Sequence, residues 1–215
     1  SQQAKESSGN GFKVLKLKVG AVSVEEDKEK IQAILDSIPE GVMLRLDANR
    51  SLTFDAAVQL LGDLTSEQVE FIEEPLLPEF QSRLGELRKQ IQVSVALDES
   101  VVDEEALLQA LTQKWCDVVV IKPMMCGGPL QALRYADLAA EYGVDCAFTS
   151  SLESIVGRLG TMHVAAATSK ANCRASGLNT GILFEKDLAP DPKINEGLFL
   201  LPSQAGIGVS KVEGL

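Results

Sequence analysis

Five charged residues close successive apolar runs of this chain at near-regular intervals, and that rhythm constrains the fold more than any other feature. Strand-like segments stand at 13–19, 42–47, 69–73, 93–98, 117–122 and 145–149, with a weaker candidate at 175–178. Between them run helical patterns at 23–38, 53–64, 80–91, 103–113, 129–143 and 152–169. Strands alternating with helices across short connections predict a parallel sheet covered by helices. Lys18, Asp47, Glu73, Asp98 and Lys122 each fall at or next to the last residue of a predicted strand, 24 to 29 positions apart. An open sheet gathers its ligand at one switch point using two or three loops. A barrel brings every strand's carboxyl end to one rim, so five charged strand ends favour the barrel.

Length and composition permit this. A chain of 215 residues with 45% hydrophobic and 24% charged residues can bury a substantial core. The formal net charge of -11 argues against a nucleic-acid partner, which needs a basic face, and is compatible with a bound divalent cation. Cys116, Cys126, Cys146 and Cys173 form no CxxC pair and His163 is the only histidine, so a structural zinc site or a disulfide framework is not expected. Reduced thiols, no signal-like apolar lead and no membrane-length run predict a soluble intracellular protein, in the cytoplasm or, for a plant source, the plastid stroma.

The expected domains are a flexible linker over 1–11, a (β/α) barrel over 12–185, and a tail over 186–215 that loses the βα rhythm. Six strands and one weaker candidate fall short of the eight of a complete barrel. The first unit is therefore expected to lie outside these residues.

Asp47, Glu73 and Asp98 supply three carboxylates from separate rigid strands, a donor set suited to a hard cation such as Mg²⁺ that keeps waters and takes substrate oxygens. The competing reading is that each acid caps the helix after its strand. In "KVLKLKVG", Lys16 and Lys18 share one strand face, which is costly unless neighbouring carboxylates, together with a metal, offset the burial. Lys16 would be a positive neighbour making Lys18 a more effective base. An exposed edge strand is the alternative for the doublet.

The motifs "KLKVG", "LRLDANR", "IEEP", "LDES" and "VIKP", in this order and spacing, resemble the barrel of the enolase superfamily in its muconate-cycloisomerase-like branch. Residues 12–215 carry the resemblance. It implies a TIM-type barrel that is incomplete here, without the N-terminal cap domain and the first strand. It implies Lys18 as general base, Lys122 as its partner, and Asp47, Glu73 and Asp98 as ligands of Mg²⁺, or of Mn²⁺ in its place. Asn49 and Glu99 would be nearby polar groups orienting the ligands. Arg45 shares Asp47's strand face and would reach the lumen or pair with a neighbouring acid.

"FTSSLESIVG" is similar to the segment after the seventh strand in o-succinylbenzoate synthases, and "GLNTGILFEKDL" resembles the same group. The likeness implies a small carboxylate substrate bound by Lys16, Ser150, Ser151, Gly127 and Gly128. N–H groups and the helix dipole at Ser150, Ser151 and Ser154 would favour an anion, and serine capping is the alternative. The implied reaction is dehydration of 2-succinyl-6-hydroxy-2,4-cyclohexadiene-1-carboxylate, in menaquinone or phylloquinone synthesis. Racemisation of N-succinylamino acids, epimerisation of dipeptides and a non-catalytic barrel within a larger multi-enzyme polypeptide compete with it. On this reading a missing cap or fused enzyme domain is the partner, and the chain alone is expected to be weakly active or inactive.

Overall fold

The computed structural model describes residues 2–169 and 172–209. The chain divides into two compact units, Ser1–Val101 with Glu105–Val118, and Val102–Glu104 with Val119–Leu215.

The first unit contains α1 (Gln2–Gly9), β1 (Val14–Lys18), α2 (Val24–Leu35), β2 (Met43–Asp47), α3 (Phe54–Leu61), β3 (Val69–Glu73), α4 (Leu84–Leu87), β4 (Ser94–Leu97) and most of α5 (Glu104–Thr112). Strands β1 to β4 pair side by side in chain order, with β1–β2, β2–β3 and β3–β4 all parallel. Apolar side chains fill both faces, as a helix-covered parallel sheet requires: Leu44, Leu46, Phe71, Ile72, Val95 and Leu97 are all buried.

Local chemistry sets the helix ends. Ser23 forms a capping box with Glu26 at the start of α2, and Thr53 accepts the Ala56 amide at 3.2 Å at the start of α3. Phe54, Ala57, Leu60 and Leu61 then form the buried stripe of α3.

Two stretches differ from expectation. The helix expected over 80–91 is a 3₁₀ segment, Pro78–Arg83, followed by the single turn of α4. Gly85 weakens the helix there, and burial of Leu84 and Leu87 is satisfied by one turn. Residues expected as a linker form α1, whose Gln2 side chain donates to Glu6 at 3.0 Å along one face. It buries no residue.

The second unit contains β5 (Val118–Ile121), which starts at its boundary, then α6 (Pro129–Glu141), β6 (Asp145–Phe148), α7 (Ile155–Ala167), β7 (Ile194–Asn195) and β8 (Leu198–Phe199). All six expected strands are found within one residue at each end. The weaker candidate at 175–178 is reduced to one isolated parallel bridge, Thr149 to Gly177, with a second, Cys146 to Cys173, just before it. Beyond residue 186, β7 and β8 form a small hairpin around Glu196 and Gly197, both at positive φ. Phe199, Ile207 and Val209 pack on a cluster of Ile155, Leu159, Met162, Leu178 and Ala189, so the described part of the tail lies on α7. The expected tail also includes 210–215, which lie outside the described residues.

No helix among the described residues is long and apolar enough to cross a membrane.

Candidate active site

Strand register builds the first unit's polar cluster. Lys18, Asp47 and Glu73 end their strands and are register partners in sequence, Lys18 beside Asp47 and Asp47 beside Glu73. Asp98 directly follows β4. The Lys16 ammonium lies 2.8 Å from both Glu73 carboxylate oxygens and 2.7 Å from Asp47 Oδ2. Lys18 reaches the same Asp47 oxygen at 2.7 Å and also donates to Asn49 Oδ1. Asn49 in turn donates to Glu99 at 2.7 Å through its side chain and to Asp47 Oδ1 at 3.1 Å through its backbone. At φ 42° its backbone is in the left-handed region, which asparagine tolerates better than most residues.

Burial makes these charges costly and therefore chemically informative. Asp47 and Glu73 are each only 1% exposed. Burial, with the charges of Asp47 and Asp98, outweighs Lys16 and pushes the Glu73 carboxyl up to about 7. Burial would raise Asp47 as well, but Lys16 and then Lys18 hold it below its ordinary value. For Lys16, burial is overcome by Glu73 and Asp47, which raise it. Two ammoniums, Lys16 and Lys18, thus meet the two buried acids.

The three expected metal ligands are only partly brought together. Two converge on the Lys16 nitrogen, whereas Asp98 acts on Glu73 through its charge, and among the described residues no three acidic, histidine or cysteine side chains are grouped to hold a metal ion. The ammonium pulls Asp47 and Glu73 onto itself. The Lys18 side chain is 64% exposed.

Two arrangements escaped sequence reasoning. Glu74, the second acid of "IEEP", accepts from the Asp98 amide at 2.8 Å, the Ser100 amide at 2.6 Å and the Ser100 hydroxyl at 2.7 Å, so it shapes the turn that carries Asp98 and Glu99. Arg50 Nε lies 3.4 Å from its other side. Arg45 does not join the lysine cluster. Register jumps from Leu44 beside Val69 to Arg45 beside Phe71, making Glu70 the extra residue of a bulge, and Arg45 Nε donates to Glu70 Oε2 at 2.6 Å. The acid pairing that competed with a lumen role is the one observed.

In the second unit, Lys122 directly follows β5. Gly127 and Gly128 have φ of 100° and 109°, and a Cβ at Gly128 would meet nothing within 4 Å. Both glycines hold backbone conformations that side chains rarely adopt.

The expected anion site ahead of α7 is differently arranged. The Ser150 amide donates to Gly177 O at 3.1 Å, and its hydroxyl meets Thr180 Oγ1 at 2.8 Å. Ser151 precedes the helix, and its carbonyl accepts the Glu153 amide at 2.9 Å. Ser154 occupies the N-cap position without a side-chain cap bond. Asp187 takes the cap instead: both its oxygens lie 2.9 Å from the Ile155 amide, and Arg158 Nη2 donates to Oδ2 at 2.7 Å. The helix end does attract an anion, and the chain supplies it.

The family model described as "Enolase C-terminal domain-like" matches residues 1–213. An o-succinylbenzoate synthase of Mycobacterium bovis is 34% identical over 182 residues, 83% of this chain and 53% of its own. A hydrophobic dipeptide epimerase of Enterococcus faecalis is 32% identical over 168 residues, 78% of this chain and 47% of its own. The structure of a dipeptide epimerase from Cytophaga hutchinsonii, complexed with Mg and the dipeptide D-Ala-L-Val, has TM-score 0.90 at 26% identity, covering 99% of this chain and 58% of that one.

The chain belongs to the enolase C-terminal domain-like family, and its fold matches that of a solved muconate cycloisomerase from Pseudomonas fluorescens at TM-score 0.90. It spans about half the length of the curated relatives it matches.

Proposed function

We propose that the protein is an o-succinylbenzoate synthase, dehydrating 2-succinyl-6-hydroxy-2,4-cyclohexadiene-1-carboxylate. The observation that carries this reading is the closure of two buried carboxylates, from neighbouring strand ends, on one cation beside a second, exposed lysine. Similarity to a synthase over 83% of the chain supports the substrate.

The residues fit Mg²⁺. Asp47 and Glu73, both buried, place three oxygens within 2.8 Å of the Lys16 nitrogen. Asp47, Glu73 and Asp98 would hold the ion, an all-oxygen set of the kind hard cations prefer. A cation held there would supply Lewis-acid polarisation of the substrate carboxylate, which would make the adjacent carbon acid stronger. Lys18, released from Asp47, takes the proton from that carbon while Asn49 Oδ1 keeps it oriented. The bond to the neighbouring hydroxyl then breaks, hydroxide leaves, and the ring becomes aromatic. Lys122, by the family pattern, stabilises the negative charge that develops between these two events. Lys16 would bind substrate once it leaves the acids. Ser150, Ser151, Gly127 and Gly128 belong to the substrate loops on the same reading, and Glu99 with Asn49 steadies the base.

A second reading, epimerisation of dipeptides, is favoured by the two epimerase likenesses. It uses the same base and metal but regenerates the carbon–hydrogen bond. Racemisation of N-succinylamino acids belongs to the same class.

The test is to assay the protein with Mg²⁺, both as these 215 residues and in its longest natural form, against the cyclohexadiene, N-succinylamino acids and dipeptides. Loss of the cyclohexadiene with formation of o-succinylbenzoate supports the synthase. Exchange of the α-proton of a dipeptide with no dehydration supports the second reading.

A further inference from the structure

The second unit holds two cysteines that the chemistry above does not use. Cys146 lies in β6, and Cys173 sits directly beside it across an isolated parallel bridge. Backbone bonds close the pairing on both sides: the Cys146 amide donates to Asn172 O, and the Arg174 amide donates to Cys146 O, each at 2.8 Å. Paired strands run about 4.8 Å apart. That spacing falls within the roughly 4.4–6.8 Å Cα separation over which a disulfide closes without moving the backbone. As partners in a parallel bridge, the two residues present their side chains to the same face. An ion pair at the adjoining positions, Arg174 Nε to Asp145 Oδ2 at 2.7 Å, fixes the alignment. Neither thiol is in a disulfide; Cys146 is buried and Cys173 is partly exposed.

We propose that Cys146 and Cys173 form a reversible oxidation site, closing an intrachain disulfide when the protein meets a peroxide. The solvent-facing Cys173 thiolate attacks one peroxide oxygen. The O–O bond breaks, leaving Cys173 as a sulfenic acid, and the departing hydroxide takes a proton to become water. The Cys146 sulfur then attacks the Cys173 sulfur, the S–O bond breaks, and the second hydroxide leaves with the Cys146 proton as water. Two thiols lose two electrons and one peroxide becomes two waters.

The order follows from the surroundings. The neighbouring Cys173, together with burial, pushes the Cys146 thiol far up, so it is the poorer first nucleophile; partly exposed Cys173 meets the peroxide first, and Cys146 resolves because it lies beside it. Neither of the other cysteines has this arrangement described: Cys116 is buried in the first unit, with its thiol pushed up to about 12 by burial, and Cys126 lies in the turn before α6, its Sγ 3.8 Å from Pro123 O. The new bond would fasten residues 172–177 to β6 just before Ser150, whose amide donates to Gly177 O.

The test is to treat the protein with a small molar excess of hydrogen peroxide and map its peptides by mass spectrometry without reduction. The expected result is a peptide joining Cys146 to Cys173, a loss of about 2 Da per chain, and reversal by a dithiol reductant. Cys173→Ser at its partly exposed position and Cys146→Ala each abolish the link, while Cys116→Ala leaves it intact. Circular dichroism of Cys146→Ala checks that the buried change leaves the fold in place, and Cys173→Ser does not depend on that. A link to Cys116 or Cys126, a link between chains, sulfinic acid on Cys173 with no link, or unreacted thiols would each overturn the assignment.

Discussion

Lys16 and Glu73 meet symmetrically, the ammonium 2.8 Å from each carboxylate oxygen, with Asp47 Oδ2 at 2.7 Å completing the contact. An organic cation therefore occupies the focus of two buried acids, and an added inorganic cation must compete with it. Replacing Lys16 by methionine removes the competitor and leaves the acids mutually repulsive. The variant should melt at lower temperature than the parent without Mg²⁺ and show the larger rise in Tm when Mg²⁺ is added. Calorimetric melts over a Mg²⁺ series check this, and an equal rise in both proteins would contradict it.

Asp47→Asn, Glu73→Gln and Asp98→Asn separate a metal site from capping acids. Each removes one charged donor from the proposed set, so isothermal titration with Mg²⁺ should show at least a tenfold weaker Kd, worth about 1.4 kcal/mol. Asp98→Asn binding Mg²⁺ as tightly as the parent would leave Asp98 outside the set.

Lys18→Ala should slow proton removal from the substrate by about 10³-fold while leaving Mg²⁺ affinity within a few-fold. Asn49→Leu should lower kcat by a smaller factor, on the order of tenfold, because the base survives but loses the acceptor that aims it. Rates of deuterium uptake at the α-carbon, measured by NMR, distinguish the two.

Arg45 and Glu70 form a pair with side chains only 6% and 8% exposed. Arg45→Met leaves Glu70 buried without its cation and should cost about 3–5 kcal/mol in urea unfolding. Adding Glu70→Leu should restore much of that loss, since an apolar pair of similar volume avoids the stranded charge.

Acid should loosen the second unit through Asp187. Burial would raise this carboxyl, but the Ile155 amide, Arg158 and the Leu188 amide outweigh it and hold it below its ordinary 3.8. Its contribution is therefore complete above about pH 4, the unfolded carboxylate range, and is lost as pH falls through the lower folded value. Asp187→Asn should flatten the acid limb of a stability profile measured by urea unfolding between pH 2 and 5, with little change in shape near pH 7.

Much of this was legible because it is periodic. Alternation along the strands and one charged residue per βα unit placed Lys18, Asp47, Glu73, Asp98 and Lys122 at strand ends, where the structure has them. The Lys16 contact was only half visible: the doublet signalled a polar demand on that face, but nothing along the chain says which acids meet it. Glu70 was hidden because a one-residue bulge reverses the facing that alternation assigns. Glu74 and Asp187 lie outside any repeat, and their partners, Ser100 and Ile155, are distant in the chain or on another element. Reading serines before a helix as its cap failed for the same reason, since a carboxylate arriving from residue 187 is the better anion.

The Asp187 carboxylate at the head of α7 is a tethered ligand. Short tethers commonly give effective concentrations on the order of millimolar. A dissolved carboxylate seeking the Ile155 amide would contend with that resident at every encounter, so weak anions would be screened out. Only a molecule gripped elsewhere as well would gain entry, and Arg158 would then be left to shuttle between the arriving guest and its displaced host.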